Sequence, residues 1–523
     1  MKIQNIFTSK NQINKQINKQ NKAKNNTQAF KSNLSPLSSA LYTLGNNDML
    51  NASFIDVFAM DTPRTIVEFQ NRGKNAGIEM GFREYTGTFI AEFSATVFAL
   101  LFSKLFSKKN KEINPSSWAT NSSIDTFKAI FENSEKSEEG FVKGALASLS
   151  GLSGDKINQV PEYSKETVDN LVKLVKGEIK DKKEVKATFE NVQDEIINTL
   201  KADNNIFVKA KDGEEIREFS ANLSHVLRDI VDLGKNVFFN KDVDYNSAIS
   251  KLKTLNKSRI AFAIPLSMLL AISNQYINRQ LTKKRTGIDN FVGENDYDNN
   301  VKNKNENKKE RGLIFKKMLS AGVFLAMLGS VVGVKKPSDI INKLEFNGPA
   351  TGGNAIRTIY GTLILGRIFA SKDSTELRET TVRDYLGFLS WLVLGGFVAK
   401  GVGQAMDPKK EILFNIQSSG KKGISHWLQD ISLKSQKEIL AMGGDVKQNL
   451  KKLNIAQLSG MAYSAIMLGI LLPKLNIYMT KSKKKPNQKS TFPNFQGQNS
   501  NSATSISPLK YSMVEFLKQT RAK

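Results

Sequence analysis

Apolar positions along this chain follow two patterns. In the first they form long, nearly continuous runs: Thr86 to Phe106, Ile260 to Ile277, Met318 to Val334, Ala355 to Ala370, Tyr385 to Ala399 and Ile455 to Ile477. Each run is too long for an ordinary strand and too apolar for a solvated helix, so the pattern predicts six apolar helices. In the second pattern the apolar residues recur at helical spacing on one face. Val168, Leu171, Val172, Val175 and Ile179 make one stripe, and Val185, Phe189, Val192, Ile196 and Leu200 a second. Ile216, Phe219, Leu223, Val226, Leu227 and Ile230 make a third. Stripes of this kind predict helices that pack against neighbours in a water-soluble body.

These patterns divide the chain. Residues 1–33 read as a disordered basic tail with the near-repeat Asn14-Lys15-Gln16-Ile17-Asn18-Lys19-Gln20, and no run there has the length of a secretory signal. Residues 34–107 hold N-terminal helices and the first apolar helix; Asp61-Thr62-Pro63-Arg64 has the residues of a helix start. Residues 108–258 read as a soluble helical insert. Residues 259–480 read as the main bundle, with a basic loop at 279–317 and a polar loop at 404–454. Residues 481–523 read as a basic low-complexity tail ending in a short helix around Tyr511, Val514, Phe516 and Leu517. The fold class expected is therefore all-α: a polytopic helical membrane bundle of about six apolar helices, an inserted soluble helical domain and disordered basic tails.

Span length tests that expectation. A hydrocarbon layer of about 30 Å needs about 20 apolar residues. Met318 to Val334 has no charge within it and anchors the membrane reading. The runs at 86–106, 355–370 and 385–399 carry or adjoin Glu92, Arg357, Arg367 and Lys400, each costing about 2.5 to 3.5 kcal/mol on insertion scales at mid-bilayer. Whether those three fully span stays open at this point. Small residues at four-residue spacing, Gly329 with Gly333, Gly395 with Ala399 and Ala465 with Gly469, fit helix packing in lipid.

Charge sharpens the picture. The chain of 523 residues carries a formal +26, and more than half of the excess lies at its two ends, with seven lysines and no acid in 1–33 and nine basic residues against Glu515 in 478–523. Much of the remainder flanks the apolar runs, which suits anionic lipid. The tails lack interleaved aromatic residues, so no sequence-specific nucleic-acid partner is expected. The loop at 279–317, with Lys283, Lys284, Arg285, Lys308, Lys309, Arg311, Lys316 and Lys317, belongs in the cytoplasm by the positive-inside rule. Alternation then puts both termini inside, and 108–258 and 404–454 outside, as in a bacterial inner-membrane protein.

Chemistry is sparse. There is no cysteine, and the two histidines, His225 and His426, stand far apart. No serine elbow, kinase signature, P-loop or metal-ligand spacing occurs, so no catalytic, cofactor or metal residue is assigned and the chain leans away from being an enzyme. Glu92 is singled out because it lies eight residues, about 12 Å of helix, past Glu84. Arg357 and Arg367 are its available partners; about 15 Å apart on a helix, only one can share its depth. Arg83 with Glu84, and Arg378, Glu379, Arg383 with Asp384, read as salt-bridged collars at headgroup level, and their loose likeness does not by itself establish a repeat. The turn Gly348 to Asn354 opens a helix whose amides could hold an anion. Three functions remain: a non-enzymatic membrane scaffold binding a protein partner through the helices of 108–258, a transporter or channel using charges such as Glu92, and a soluble effector with membrane-inserting hairpins.

Overall fold

The computed structural model describes residues 34–151, 162–287, 312–333, 343–346, 348–417, 423, 426–427 and 430–483. The tails, the middle of the basic loop 279–317 and part of the polar loop 404–454 lie outside them. Of the described residues 76% are helical, and the five strands form one three-stranded and one two-stranded sheet.

After a short helix α1 (Pro36–Gly45), a continuous helix is built from α2 (Asp48–Phe54), a π-helical stretch (Ile55–Asp61) and α3 (Thr62–Arg72). Asn47 caps it by accepting from the Leu50 amide at 3.0 Å, and Gly73, at φ +89°, ends it. The chain turns at once into α4 (Lys74–Phe89), a second π stretch (Ile90–Ser94) and α5 (Ala95–Lys109). The insert follows, with α6 (Asn121–Glu132), α7 (Glu138–Ala147), β1 (Leu149–Ser150), α8 (Lys165–Lys176), α9 (Lys182–Leu200), β2 (Ile206–Asp212), β3 (Glu215–Ala221) and α10 (Leu223–Leu233). Next come α11 (Tyr245–Thr286), α12 (Leu313–Val332) and α13 (Gly353–Ala370). A further kinked rod is α14 (Ser374–Leu389), a π stretch (Ser390–Leu394) and α15 (Gly395–Met406). The small β4 (Phe414–Ile416), β5 (Ile431–Leu433) and α16 (Gln436–Met442) precede the last rod, α17 (Val446–Ser464), a π stretch (Ala465–Leu471) and α18 (Leu472–Lys483).

Seven helical rods among the described residues thus run between two ends of one bundle, and contacts between their termini fix their directions. At one end Arg285 donates to the Asn75 carbonyl at 3.1 Å, Lys316 to Ser374 at 2.7 Å and Arg378 to Thr480 at 3.5 Å. At the other end the Gly353 amide donates to Asp48 at 3.0 Å, and α11 begins among the core residues of the insert. Both inserted bodies, 110–244 and 407–445, therefore project from the same end, opposite the basic loops.

Among the described residues four helices are long and apolar enough to cross a membrane: Lys74–Lys109, Tyr245–Thr286, Leu313–Val332 and Val446–Thr480. That corrects the expected six. The four contain the runs at 86–106, 260–277, 318–332 and 455–477. Ala355 to Ala370 owes its apolarity to a different cause, since Ile356, Ile359, Tyr360, Leu363, Ile364 and Ile368 are all buried against the neighbouring rods. Tyr385 to Ala399 continues a helix whose first half is charged and buried.

The stripes at 168–175 and 185–200 form α8 and α9 as expected, but Ile179 lies past the end of α8, which Gly177 closes. The third stripe is corrected. Ile216 and Phe219 lie on β3, paired with Lys211 and Val208 of β2, and the helix starts only at Leu223, capped by Asn222. Residues 216 and 219 stand at helical spacing, but the Asp212-Gly213-Glu214-Glu215 turn, with Gly213 at φ +63°, closes a hairpin instead. Phe127, Phe131, Phe141 and Phe238 centre this insert's core. Glu438 ties the second insert to it, accepting from the Asp203 and Asn204 amides at 2.8 and 3.2 Å, while Lys437 pairs with Asp194 at 2.7 Å.

Candidate functional site

The bundle's first rod has its polarity reversed relative to a helix in water. Phe54, Phe58, Ile66 and Phe69 lie on its exposed side, Phe58 at 65% exposure, while Asp56, Asp61, Arg64 and Glu68 are buried, the two aspartates completely. Asp56 and Asp61 are five residues apart; the wider π turn between them, with its i→i+5 hydrogen bonds, keeps both on the inner face. Arg64, Glu68 and Arg72 continue that face at spacings of three and four.

Around Arg64 the bundle closes on a network of four guanidiniums and two carboxylates. Glu84 takes Arg367 at 3.1 Å, Arg83 at 3.4 Å and Arg64 at 3.7 Å. Asp384 takes Arg383 at 2.8 Å and Arg367 at 3.2 Å. Every member is at most 3% exposed. Arg64 also donates to the Leu468 carbonyl at 2.9 Å, which stands in a π stretch and so has fewer competing helix bonds. Toward the basic end, Arg72 joins Glu68 at 3.3 Å and Glu379 at 2.8 Å, and Glu379 accepts from Thr480 at 3.0 Å. Arg279 pairs with Glu376 beside it.

Five residues singled out by sequence, Arg83, Glu84, Arg367, Arg383 and Asp384, therefore meet, but deep inside the bundle and not as separate collars near the helix ends. Glu92 does not join them. It accepts from Ser53 and lies beside Asp56, whose two oxygens are buried without a hydrogen-bond partner. Two acids enclosed together are accommodated at lower cost when one keeps its proton. Asp61, one turn on, accepts from Thr88 at 2.8 Å. Arg357 stands toward the insert end, donating to Asn354 at 2.9 Å. Lys400 is separate again, over the rings of Phe397 and Trp427 at 5.8 and 5.6 Å.

Sequence reasoning missed Asp56, Asp61, Arg64, Glu68, Arg72, Arg279 and Glu376, and a spacing signal for part of the site was present. Glu79-x-x-x-Arg83-Glu84-Tyr85-x-Gly87 recurs as Glu379-x-x-x-Arg383-Asp384-Tyr385-x-Gly387, 300 residues later. The helix bounds recur with it: 74–89, 90–94 and 95 onward against 374–389, 390–394 and 395 onward. Asn274-x-Tyr276-x-Asn278-Arg279 likewise recurs as Asn476-x-Tyr478-x-Thr480-Lys481. Two three-rod units follow, each with an insert after its second rod and α12 between them. Their arginines cross over. A Cβ at Gly87 would stand 3.6 Å from Arg367 Nη2, and one at Gly387 3.2 Å from Arg64 Nη2, so each unit's first rod lays its arginine on the second rod of the other.

A cavity of about 340 Å³ opens between the units at the insert end, lined by Asp48, Asn51, Arg357, Trp391, Gly396 and Gln457 among others. The turn Gly348 to Asn354 borders it, and its helix-opening amide at Gly353 does hold an anion, the chain's own Asp48 carboxylate. In the adjoining insert, burial raises Asp229 and Asp232 to about 6 and lowers His225 to about 4. No group of three or more His, Asp or Glu side chains among the described residues is arranged to hold a metal ion.

Comparison with protein-family models, with curated proteins and with solved structures finds no match.

Proposed function

We propose that the chain is an integral membrane protein that carries a small solute between its two helical units, in exchange for or together with a proton held by Asp56 and Glu92. The observation that carries this reading is the inversion of polarity: charges fill the interior while large apolar side chains face outward on α3, α5, α11, α12 and α18, with Ile314 at 73% exposure. In water such a surface would aggregate; in lipid it is solvated, and interior charges mark a polar path. Two matched units in the same orientation with a polar site between them support transport over mere anchoring, because relative motion of the units can expose that site to either side. Lys283, Lys284, Arg285, Lys316 and Lys317 lie toward one end, and that excess favours the cytoplasm for this end and the opposite side of a bacterial inner membrane for both inserts.

The test uses the full chain in proteoliposomes with trapped pyranine. Adding the low-molecular-weight fraction of a cell extract should move protons in the wild type. Asp56→Asn and Glu92→Gln should abolish that movement while inserting and assembling normally. Proton movement that survives both substitutions refutes the assignment. A wild-type protein that moves none returns the chain to the scaffold reading, and release by alkaline carbonate removes the membrane premise altogether.

A further inference from the structure

We propose that the cavity between the units binds a small zwitterion of the α-amino-acid class with an apolar side chain, its carboxylate on Arg357 and its ammonium on Asp48. Four observations carry this. At about 340 Å³ the cavity lies at the small end of the range for ligand pockets, about 300 to 1,000 Å³, which admits an amino acid and excludes a nucleotide.

Its charge is split. Among the described residues Arg357 and Asp48 are the only charged groups in its lining, and no ion pair joins them, so a ligand bearing both signs can bridge them. The Arg357 guanidinium has one nitrogen to offer. Nη1 is engaged by Asn354 and Nε is enclosed by the protein, which leaves Nη2 for a charge-assisted contact with a ligand carboxylate. Asp48 spends Oδ2 on the Gly353 amide and keeps its other oxygen for a cation.

The rest of the wall is mixed: Asn51, Gln457 and Ser464 supply polar groups, while Ile55, Ile356, Trp391 and Met461 with the backbone faces of Gly395 and Gly460 form an apolar side for the ligand's side chain. Trp391 is braced by Tyr360, ring centroids 5.1 Å apart. Tyr360 in turn lies close to Asp56, so an occupant touching Trp391 is one side chain away from the proton-holding pair.

This inference names the solute for the transport reading and rests on it for its biological sense, but binding is measurable without transport. Equilibrium dialysis of the detergent-purified full chain against each labelled proteinogenic amino acid should find a ligand among the apolar ones, with L-leucine as the working probe. 4-Methylpentanoate and 3-methylbutylamine, which each keep one charge, should compete about tenfold or more weakly, as loss of one charge-assisted contact requires. Arg357→Ala and Asp48→Asn should each weaken binding to a similar degree, and Arg357→Lys should restore only part of it.

Space supplies a variant that leaves folding alone. Gly396 lines the cavity and a Cβ there meets nothing within 4 Å, and one at Gly401, outside the cavity, also meets nothing. Gly396→Leu should abolish binding and Gly401→Leu should not. Binding of no amino acid, or binding untouched by Gly396→Leu, overturns the proposal. Binding without uptake into proteoliposomes overturns the transport reading alone, and proton-coupled uptake of another solute without amino-acid binding overturns this inference alone.

Discussion

Glu84→Gln should be among the most destabilising single substitutions in the bundle. The carboxylate touches three guanidiniums, Arg367 at 3.1 Å, Arg83 at 3.4 Å and Arg64 at 3.7 Å. In the wild type four arginines face two acids. After the substitution they face Asp384 alone, and the amide nitrogen of glutamine adds a donor where only acceptors are useful. Removing one partner from a buried ion pair costs about 3 to 5 kcal/mol, and sharing of the lost charge by three arginines places this case at the upper end. Arg367→Gln removes a cation from a cluster with an excess of them, leaving three arginines against Glu84 and Asp384, and should cost less. The double variant returns the cluster to its wild-type charge excess and should be more stable than Glu84→Gln alone, giving a favourable coupling energy of about 1 to 3 kcal/mol. Equilibrium unfolding of the four proteins in mixed detergent and dodecyl sulfate micelles measures each term. The reasoning fails if Glu84→Gln is no less stable than Arg367→Gln, or if the double variant falls by the sum of the two singles.

Two other outcomes follow from separate parts of the molecule. A Cβ at Gly460 would stand 2.5 Å from the Gly395 carbonyl oxygen and 3.1 Å from Ala399 Cβ, so Gly460→Ala should push α15 and α17 apart at about 1 to 3 kcal/mol; Gly401→Ala, with open space around it, should gain about 0.4 to 1 kcal/mol in the same unfolding assay. In the larger insert, Asp229 ionises near 3.8 when unfolded and near 6 when folded; between those values the folded state keeps a proton the unfolded chain has lost, so its contribution to stability is present at low pH and disappears as pH rises through about 6. Asp229→Asn should therefore protect the α10 amides from hydrogen exchange by about 3 kcal/mol more than wild type at pH 7, with the difference vanishing at about pH 3, below the unfolded value, and an equal gain at both pH values would refute the burial argument.

Much of the site was written in the sequence without being readable there. Arg83, Glu84, Arg383 and Asp384 stood out as charges beside apolar runs, and that local contrast was a correct signal. Their 300-residue spacing tied them to each other, but a five-residue match in one chain has little weight until the helix, π turn and helix around each copy are seen to coincide. Asp56, Asp61, Arg64 and Glu68 gave no such contrast. Charged residues on a helix normally mark its wet face, and periodicity does not say which of two faces is buried. Glu92 was rightly placed on an apolar helix, yet its neighbour is another acid, Asp56, and not Arg357 or Arg367, because depth along a helix says nothing about azimuth around the bundle.

What the sequence determined by itself was local: the helical runs, the stripes of α8 and α9, the basic ends and the absence of cysteine chemistry. These depend on side-chain pattern over a few turns. Tertiary structure decided the rest, including that Ala355 to Ala370 is a buried central helix, that Ile216 and Phe219 sit on a strand, and that charges line the interior. Each of these turns on which surface a helix or strand meets, and contacts between residues 64 and 387, or 84 and 367, are set by how seven rods pack, a property that no stretch of the chain carries alone.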